Sequence, residues 1–370
     1  MCMASFGTCR QSEQKGGKVV ADTSLLGKSV TESRSLIHCQ GDLLYHIPLI
    51  RPFLYIVLPS TMSDPNSDPV IPEAKTLPDA PTDCISQLQF LNSPSSSSSM
   101  LVSTSWDGGL KLHDTVAMEC KLSHTPEIGP LLSLAVVDEE YMFVGGLDGQ
   151  ILQINVANGG TPVVSKVGVH PPPRIVPPGT NPAPTASACS CLVAFPSSPP
   201  LLASAGWHGQ FHLWDLRQSA ASSSPAITMD LPGKAFTIDT HESRIVVGCS
   251  GRRTCVLDIR KSGETWTADA VLDAETSQKH QTRCMRFFPD GQSIAVGSVE
   301  GRVSVEAVAT STGGDAMKKL YAFKCHREGD LVYPVNAIEF HPKFGTFATG
   351  GCDGSVGTFR NIDLNVKALC

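Results

Sequence analysis

The chain has 370 residues, 41% of them hydrophobic and 17% charged, with a formal net charge of −6. That is enough apolar material for a large core, and the acidic balance excludes bulk nucleic-acid binding through net charge, though not a local basic patch. Only 6% of residues are aromatic while Gly (32) and Pro (27) are plentiful, the balance of many short strands joined by tight turns rather than of long charged helices.

Residues 1–60 have no usable periodicity, and the stretch MSDPNSDPVIPEAK from Met62 reads as an ordinary acidic, Pro-rich N-terminus. The expectation is an upstream extension over 1–61, disordered, with Met62 the usual start, then an acidic Pro-rich N-terminal segment over 62–83 and the folded region over 84–370. No signal or transit peptide is legible, and Leu43–Leu58, the most apolar run, is too short to span a membrane and is broken by His46, Pro48, Arg51 and Pro52. The chain therefore reads as soluble and intracellular.

From Cys84 onward a unit repeats. The copies read STSWDGGLKLHD from Ser103, VGGLDGQILQIN from Val144 and SAGWHGQFHLWD from Ser204, then VGCSGRRTCVLD from Val247, VGSVEGRVSVEA from Val296 and TGGCDGSVGTFR from Thr349. Each centres on a turn glycine: Gly108, Gly149, Gly209, Gly251, Gly301 and Gly354. Asp-Gly, His-Gly or Glu-Gly suits a reversal that needs positive φ. A strand-like run precedes each copy (ISQLQFL, LLSLAVV, CLVAF, AFTIDT, TRCMRFF and NAIEFH), and Trp214-Asp215 completes one Trp-Asp signature. The pattern predicts an all-β fold, a WD-repeat β-propeller with six recognisable four-stranded blades. His170–Pro184 reads as a Pro-rich loop insert and Ser95–Ser99 as a low-complexity loop in the first blade.

The thirteen cysteines are scattered, with no CxxC and no Cys/His ligand spacing, so they read as small core hydrophobes of a reducing compartment and no metal site is expected. Cys189 and Cys191, two apart, are expected to share one face of a strand. No nucleophile elbow, phosphate loop or HExxH motif is present, and the eleven histidines are dispersed. His208 reads as a turn residue and His326 as a hydrogen-bonding residue at the end of an outer strand. The chain is therefore expected to be a non-enzyme without cofactor, leaving recognition as its business. Arg252 and Arg253 follow turn glycine Gly251, Arg302 follows Gly301, and Arg283 opens a strand. Arginines at equivalent blade positions can converge on a carboxylate or phosphate. Trp106 and Trp207 each stand two residues before their turn glycine, where they can anchor a peptide or pack against a neighbouring blade.

The segments VSTSWDG (102–108), VGGLDGQ (144–150), IVVGCSGRR (245–253), VLDIR (256–260), QTRCMRFFP (281–289) and EGRVSVE (300–306) lie in successive copies. With YAFKCHR (321–327), YPVNAIEFH (333–341) and FATGGCDGSV (347–356) they closely resemble the spindle-checkpoint WD-repeat family that partners the Bub kinases. A messenger-RNA-export WD-repeat relative, docking on a nuclear-pore protein, shares the fold and several motifs. The resemblance implies a non-catalytic adaptor working in the nucleus and at mitotic kinetochores, without direct nucleic-acid or membrane binding. It implies that Trp106, Trp207, Arg252 and Arg253 contact the GLEBS motif of Bub-type kinases. It also makes Arg283 and Arg302 the candidates for phosphothreonine in Met-Glu-Leu-Thr repeats of a kinetochore scaffold. A ubiquitin-ligase substrate receptor would be a different class, and no sequence feature supports it.

The family has seven blades, the last closed by an N-terminal strand. Here SVGTFRNIDLNVKALC after Gly354 departs from the Trp-Asp ending and no seventh unit follows. The expectation is a ring lacking its C-terminal blade, with exposed apolar edges on its first and last blades and marginal stability. Leu54–Leu58 could add a strand to cover the gap.

Overall fold

Six times the chain runs through the same meander of four antiparallel strands, and each meander is one blade. Blade 1 comprises Ile85–Phe90, Met100–Ser105, Leu110–Asp114 and Glu119–His124. Blade 2 comprises Leu131–Val136, Tyr141–Gly146, Gln150–Asn155 and Val163–Val169. Blade 3 follows with Cys191–Phe195, Leu201–Ala205, Gln210–Asp215 and Ile227–Asp230. Blade 4 holds Ala235–His241, Arg244–Cys249, Arg253–Ser262 and Thr265–Glu275. Blade 5 holds Thr282–Phe287, Ser293–Ser298, Arg302–Ala307 and Lys318–Lys324. Blade 6 ends the series with Val335–Phe340, Thr346–Gly351, Val356–Ile362 and Asn365–Leu369. This computed structural model describes residues 55–57, 74–91, 99–138, 141–156, 161–172, 186–195, 200–217, 224–263, 265–308, 317–341, 346–362 and 365–369. All of them fall in one compact unit that starts at Arg34. The readings of residues 1–54 and of most of the Pro-rich insert lie outside the described residues.

The six β-propeller blades are those of the repeat, and all six turn glycines have the positive φ that the turn requires. In blades 1 to 5 burial is greatest on the second strand and falls toward the outer one. Second strands such as Leu201–Ala205 and Ser293–Ser298 are buried throughout, which explains their short, small-residue runs. The outer strand Glu119–His124 alternates exposed and half-buried positions, as a sheet wet on its last edge must.

An apolar cluster fills every seam between neighbouring blades. The seam between blades 6 and 1 has one too, although the inner strands of these two blades lie less closely side by side than those of the other five neighbouring pairs. Ala337 and Ala348 of blade 6 join Ile85, Leu88 and Leu101 of blade 1 and Leu77 from the preceding segment in one buried cluster. The apolar edges expected to lie open at this place are therefore covered. Leu77, 1% exposed, supplies bulk where blade 6 offers alanines. The segment behind it is tied to blade 1, since Lys111 Nζ donates to the Asp79 carbonyl at 2.7 Å and His113 Nε2 lies 2.9 Å from the Pro78 carbonyl. Tyr55–Val57 does form a strand, but it pairs with Ala74–Thr76 in a two-stranded sheet of its own.

Cys189 and Cys191 do not share a face. Cys189 packs with Phe143 and Ile151 of blade 2, whereas Cys191 packs with Cys249 and Cys255 of blade 4. Cys189 lies just before the inner strand, at the place where the other five inner strands have a register shift after their first residue. An extra residue there breaks the two-residue alternation. Burial pushes the Cys191 and Cys284 thiols up to about 12, as core residues rather than reactive ones.

Candidate functional site

Because strands in a meander alternate direction, the turns joining second and third strands all emerge at one end of the ring, together with the connections between blades. Trp106, Trp207, Arg252, Arg253, Arg283 and Arg302 all lie at this end, distributed over blades 1, 3, 4 and 5.

Trp106 is half-buried, and its N–H donates to the Cys84 carbonyl at 2.9 Å. The next residue, Asp107, locks the turn. Burial works against its charge, but Ser105 Oγ, Gly109 N (2.8 Å), and Thr82 N (2.7 Å) and Oγ1 (2.9 Å) all donate to it. Those bonds hold its carboxyl at about 2. Trp207 occupies the matching place in blade 3, half-buried, its N–H donating to the Ala188 carbonyl at 3.2 Å. Beneath it lies an array that no spacing rule announced. His208 Nε2 is 3.1 Å from His212 Nε2, and His212 Nδ1 is 3.0 Å from Thr228 Oγ1. The His170 ring centroid is 4.5 Å from that of His208 and 5.1 Å from that of His212. Trp214 Nε1 donates to Ser204 Oγ at 2.9 Å, so the hydroxyl proton of Ser204 is left for His170 Nε2, also at 2.9 Å. Burial disfavours the charged form of two of these rings: it pushes His212 down to about 4, and it lowers His170 well below its ordinary value, with His208 and His212 adding to the effect. Among the described residues no group of three or more His, Cys, Asp or Glu is placed to hold a metal ion.

Arg252 and Arg253 do not point into a common pocket. Arg252 pairs with Glu275 at 2.7 Å and donates to the Gln278 carbonyl at 3.0 Å, and Arg253 pairs with Asp273 at 2.6 Å. Both carboxylates belong to the outer strand of blade 4, so these guanidiniums fan toward the rim. Arg283 and Arg302 share the top of blade 5. Thr282, Ser298, Arg302 and Lys324 form one row across the sheet, with Arg283 next to Thr282, so the two arginine backbones stand about two strand spacings apart, roughly 10 Å. Arg283 Nε donates to Asn336 Oδ1 of blade 6 at 3.3 Å. Arg302 is half-buried, and its Nε is a buried donor without a hydrogen-bond partner among the described residues.

Three charges at the central channel also escaped the sequence reading. Asp239, Arg286 and Glu339 stand on the inner strands of blades 4, 5 and 6. Arg286 Nε lies 3.4 Å from Glu339 Oε2, and Phe287 N donates to Asp239 Oδ2 at 2.7 Å. Burial pushes Asp239 up to about 6 although Arg286 pulls the other way. The array ties three successive blades together across the channel.

Six-fold repetition of a four-stranded meander, turn glycines in register and a Trp-Ser-His relay in blade 3 define a WD-repeat β-propeller. The family model "WD domain, G-beta repeat" matches residues 179–215 and 317–357. The chain is 34% identical over 282 residues to the mitotic checkpoint protein bub3 of Dictyostelium discoideum, covering 75% of each chain. It is 33% identical over 295 residues to mitotic checkpoint protein BUB3.1 of Arabidopsis thaliana, covering 78% of this chain and 77% of that one. Protein RAE1 of Arabidopsis thaliana is 32% identical over 297 residues, covering 78% and 75%. The chain belongs to the Bub3/Rae1 family of WD-repeat proteins.

Proposed function

We propose that this chain is a non-catalytic adaptor of the mitotic spindle assembly checkpoint, acting in the nucleus and at kinetochores. In this reading the end of the ring that carries Trp106, Trp207, Arg252 and Arg253 holds the GLEBS motif of a Bub-type kinase. Arg283 and Arg302 at the top of blade 5 receive phosphothreonine from a Met-Glu-Leu-Thr repeat. The observation that carries the phosphate assignment is the spare donor of Arg302, buried and unbonded in a row that also holds Lys324. A phosphate brings strong acceptor oxygens and a charge of about −1.5 to −2 to such a donor. Trp106 and Trp207 supply flat apolar surface on turns whose backbones are tethered to the inner strands. Arg252 and Arg253, already neutralised by Glu275 and Asp273, add donors rather than net charge.

The test is binding of the purified chain to a kinase GLEBS peptide and to phosphorylated and unphosphorylated Met-Glu-Leu-Thr peptides. Phosphate-dependent binding that falls at least tenfold in Arg302→Ala is expected; equal binding of both forms overturns the phosphate assignment. RNA-export relatives support one second reading, docking on a nuclear-pore protein. They include the mRNA export factor GLE2 of Chaetomium thermophilum, 26% identical over 78% of this chain. Preference for a nucleoporin GLEBS peptide over the kinase peptide would select it.

A further inference from the structure

The outer strands are the edges of the six blades, and among the described residues no strand pairs with their far sides. An open edge presents free N–H and C=O groups, and proteins blunt it with lysine, proline or brevity. Five of these edges are blunted. Lys121, Lys166, Lys318, Lys319, Lys324 and Lys367 stand in the outer strands of blades 1, 2, 5 and 6, and the outer strand of blade 3 is four residues long. Blade 4 differs. Its outer strand, Thr265–Glu275, runs for 11 residues with neither lysine nor proline, and it is the longest of the described strands. At about 3.4 Å per residue it spans roughly 37 Å. The edge is also held firmly. Its pairing with the third strand extends out to Ser262 opposite Thr265, and Trp266 and Ala268 lean on the buried cluster shared with blade 3. Lys261 Nζ lies 5.5 Å from the centre of the Trp266 ring. Thr265, Thr267 and Asp269 are exposed. At Val271 the pairing skips a residue, from Leu272 opposite Val256 to Ala270 opposite Leu257, and this bulged valine is 40% exposed.

We propose that the outer edge of blade 4 is a docking strand for an extended, basic segment of a partner protein, which adds a fifth strand to the blade. Main-chain pairing along the edge supplies affinity, and a strand already fixed in place loses little freedom on binding. Charge complementarity argues for the occupant. The strand carries three carboxylates, Asp269, Asp273 and Glu275, and no base. Asp273 and Glu275 are paired with Arg253 and Arg252, whereas Asp269 forms no ion pair among the described residues. A lysine or arginine placed opposite Asp269 gains a cross-strand partner, and an apolar residue beside Val271 covers it. The lysines of four other edges repel the same basic segment, which directs it to blade 4. A second copy of this chain is the poorer occupant, because pairing the edge with itself lines up the carboxylates of both copies with no base between them.

The experiment measures binding of three fluorescent peptides to the full chain. The first alternates lysine and valine, and the second alternates glutamate and valine. The third is the lysine–valine peptide N-methylated at two adjacent central residues, which keeps the charge and breaks pairing along both of its edges. The parent chain is expected to bind the first peptide at least tenfold (about one order of magnitude) more tightly than either of the others, with amide hydrogen exchange across 266–275 slowed in the complex. The double variant Asp269→Lys, Ala270→Lys gives this edge the residue that blunts the others. Its preference is expected to fall to about one. Both side chains are exposed, and equal thermal unfolding of parent and variant checks the fold. No binding of the first peptide, equal binding of the N-methylated one, or a preference that survives in the variant overturns the docking edge. Sedimentation of the parent as a dimer that the variant converts to a monomer gives the edge to a second copy and overturns the basic partner.

Discussion

Blades 3 and 6 each bury a histidine under the turn between their second and third strands, but the two turns hold it by different chemistry. In blade 6 the residue before the turn glycine is Asp353, whose Oδ1 lies 3.0 Å from His326 Nδ1, while His326 Nε2 lies 2.8 Å from Thr349 Oγ1. In blade 3 the same turn position is His208, so the histidine of the relay, His170, faces another imidazole. Geometry is kept and charge is removed. A glycine at the end of the second strand makes room in both blades, since a methyl on Gly206 or Gly351 would strike the buried rings. What the position requires is a planar polar group that fills the space under the turn. A carboxylate fills that space and adds an ionic partner; an imidazole fills it and adds none.

Acid breaks the comparison most strongly. His212 sits at about 4 and His170 well below its ordinary value in the folded chain. Above pH 6.5 both are neutral folded or unfolded and contribute no pH dependence. As pH falls through 6.5 the unfolded chain takes up protons that the folded chain refuses, so stability is lost progressively toward pH 4. For His212 alone the loss is about 3 kcal/mol. Asp239, raised to about 6, acts in the opposite sense, its folded form binding a proton more tightly between pH 6 and 3.8. Urea unfolding across this range in an Asp239→Asn background is expected to show the histidine loss undiluted, and His212→Gln to remove about one proton from its slope.

Asp353→Ala should cost about 2 kcal/mol by denaturant midpoint, because it strips the buried His326 of a charged partner. His208→Asp sharpens the comparison by giving blade 3 the residue of blade 6. Its stability at pH 7 is expected to stay within about 1 kcal/mol of the parent, while the His170 ring signal in an NMR titration moves to higher pH. An unchanged titration would mean that the two turns are not equivalent.

The blades were legible because their signal is local: a glycine needing positive φ, flanked by alternating runs, recurs within a dozen residues each time. What could not be read depends on side chains brought together from distant strands. His170 meets His208 across a Pro-rich stretch whose length hides the pairing. Arg252 and Arg253 look like free turn cations until the outer strand, some twenty residues later, returns with Asp273 and Glu275. For the candidate site, the end of the ring at which its residues stand follows from the turns, but which guanidinium retains a spare donor does not. One signal was available and unused. Three of the six turns carry Asp before glycine, so the His at position 208 marks the blade whose polar network differs.

The cluster around Leu77 also bears on how the ring is made. Ile85, Leu88 and Leu101 leave the ribosome early, yet their partners Ala337 and Ala348 follow about 250 residues later, so this seam has by far the greatest sequence separation of any between blades. Five seams can form in order as each blade emerges; the sixth waits until blade 6 has been made. Until then blade 1 presents an uncovered apolar face, and Leu77, already at hand beside it, can shield part of that face while the rest of the circle is still being built.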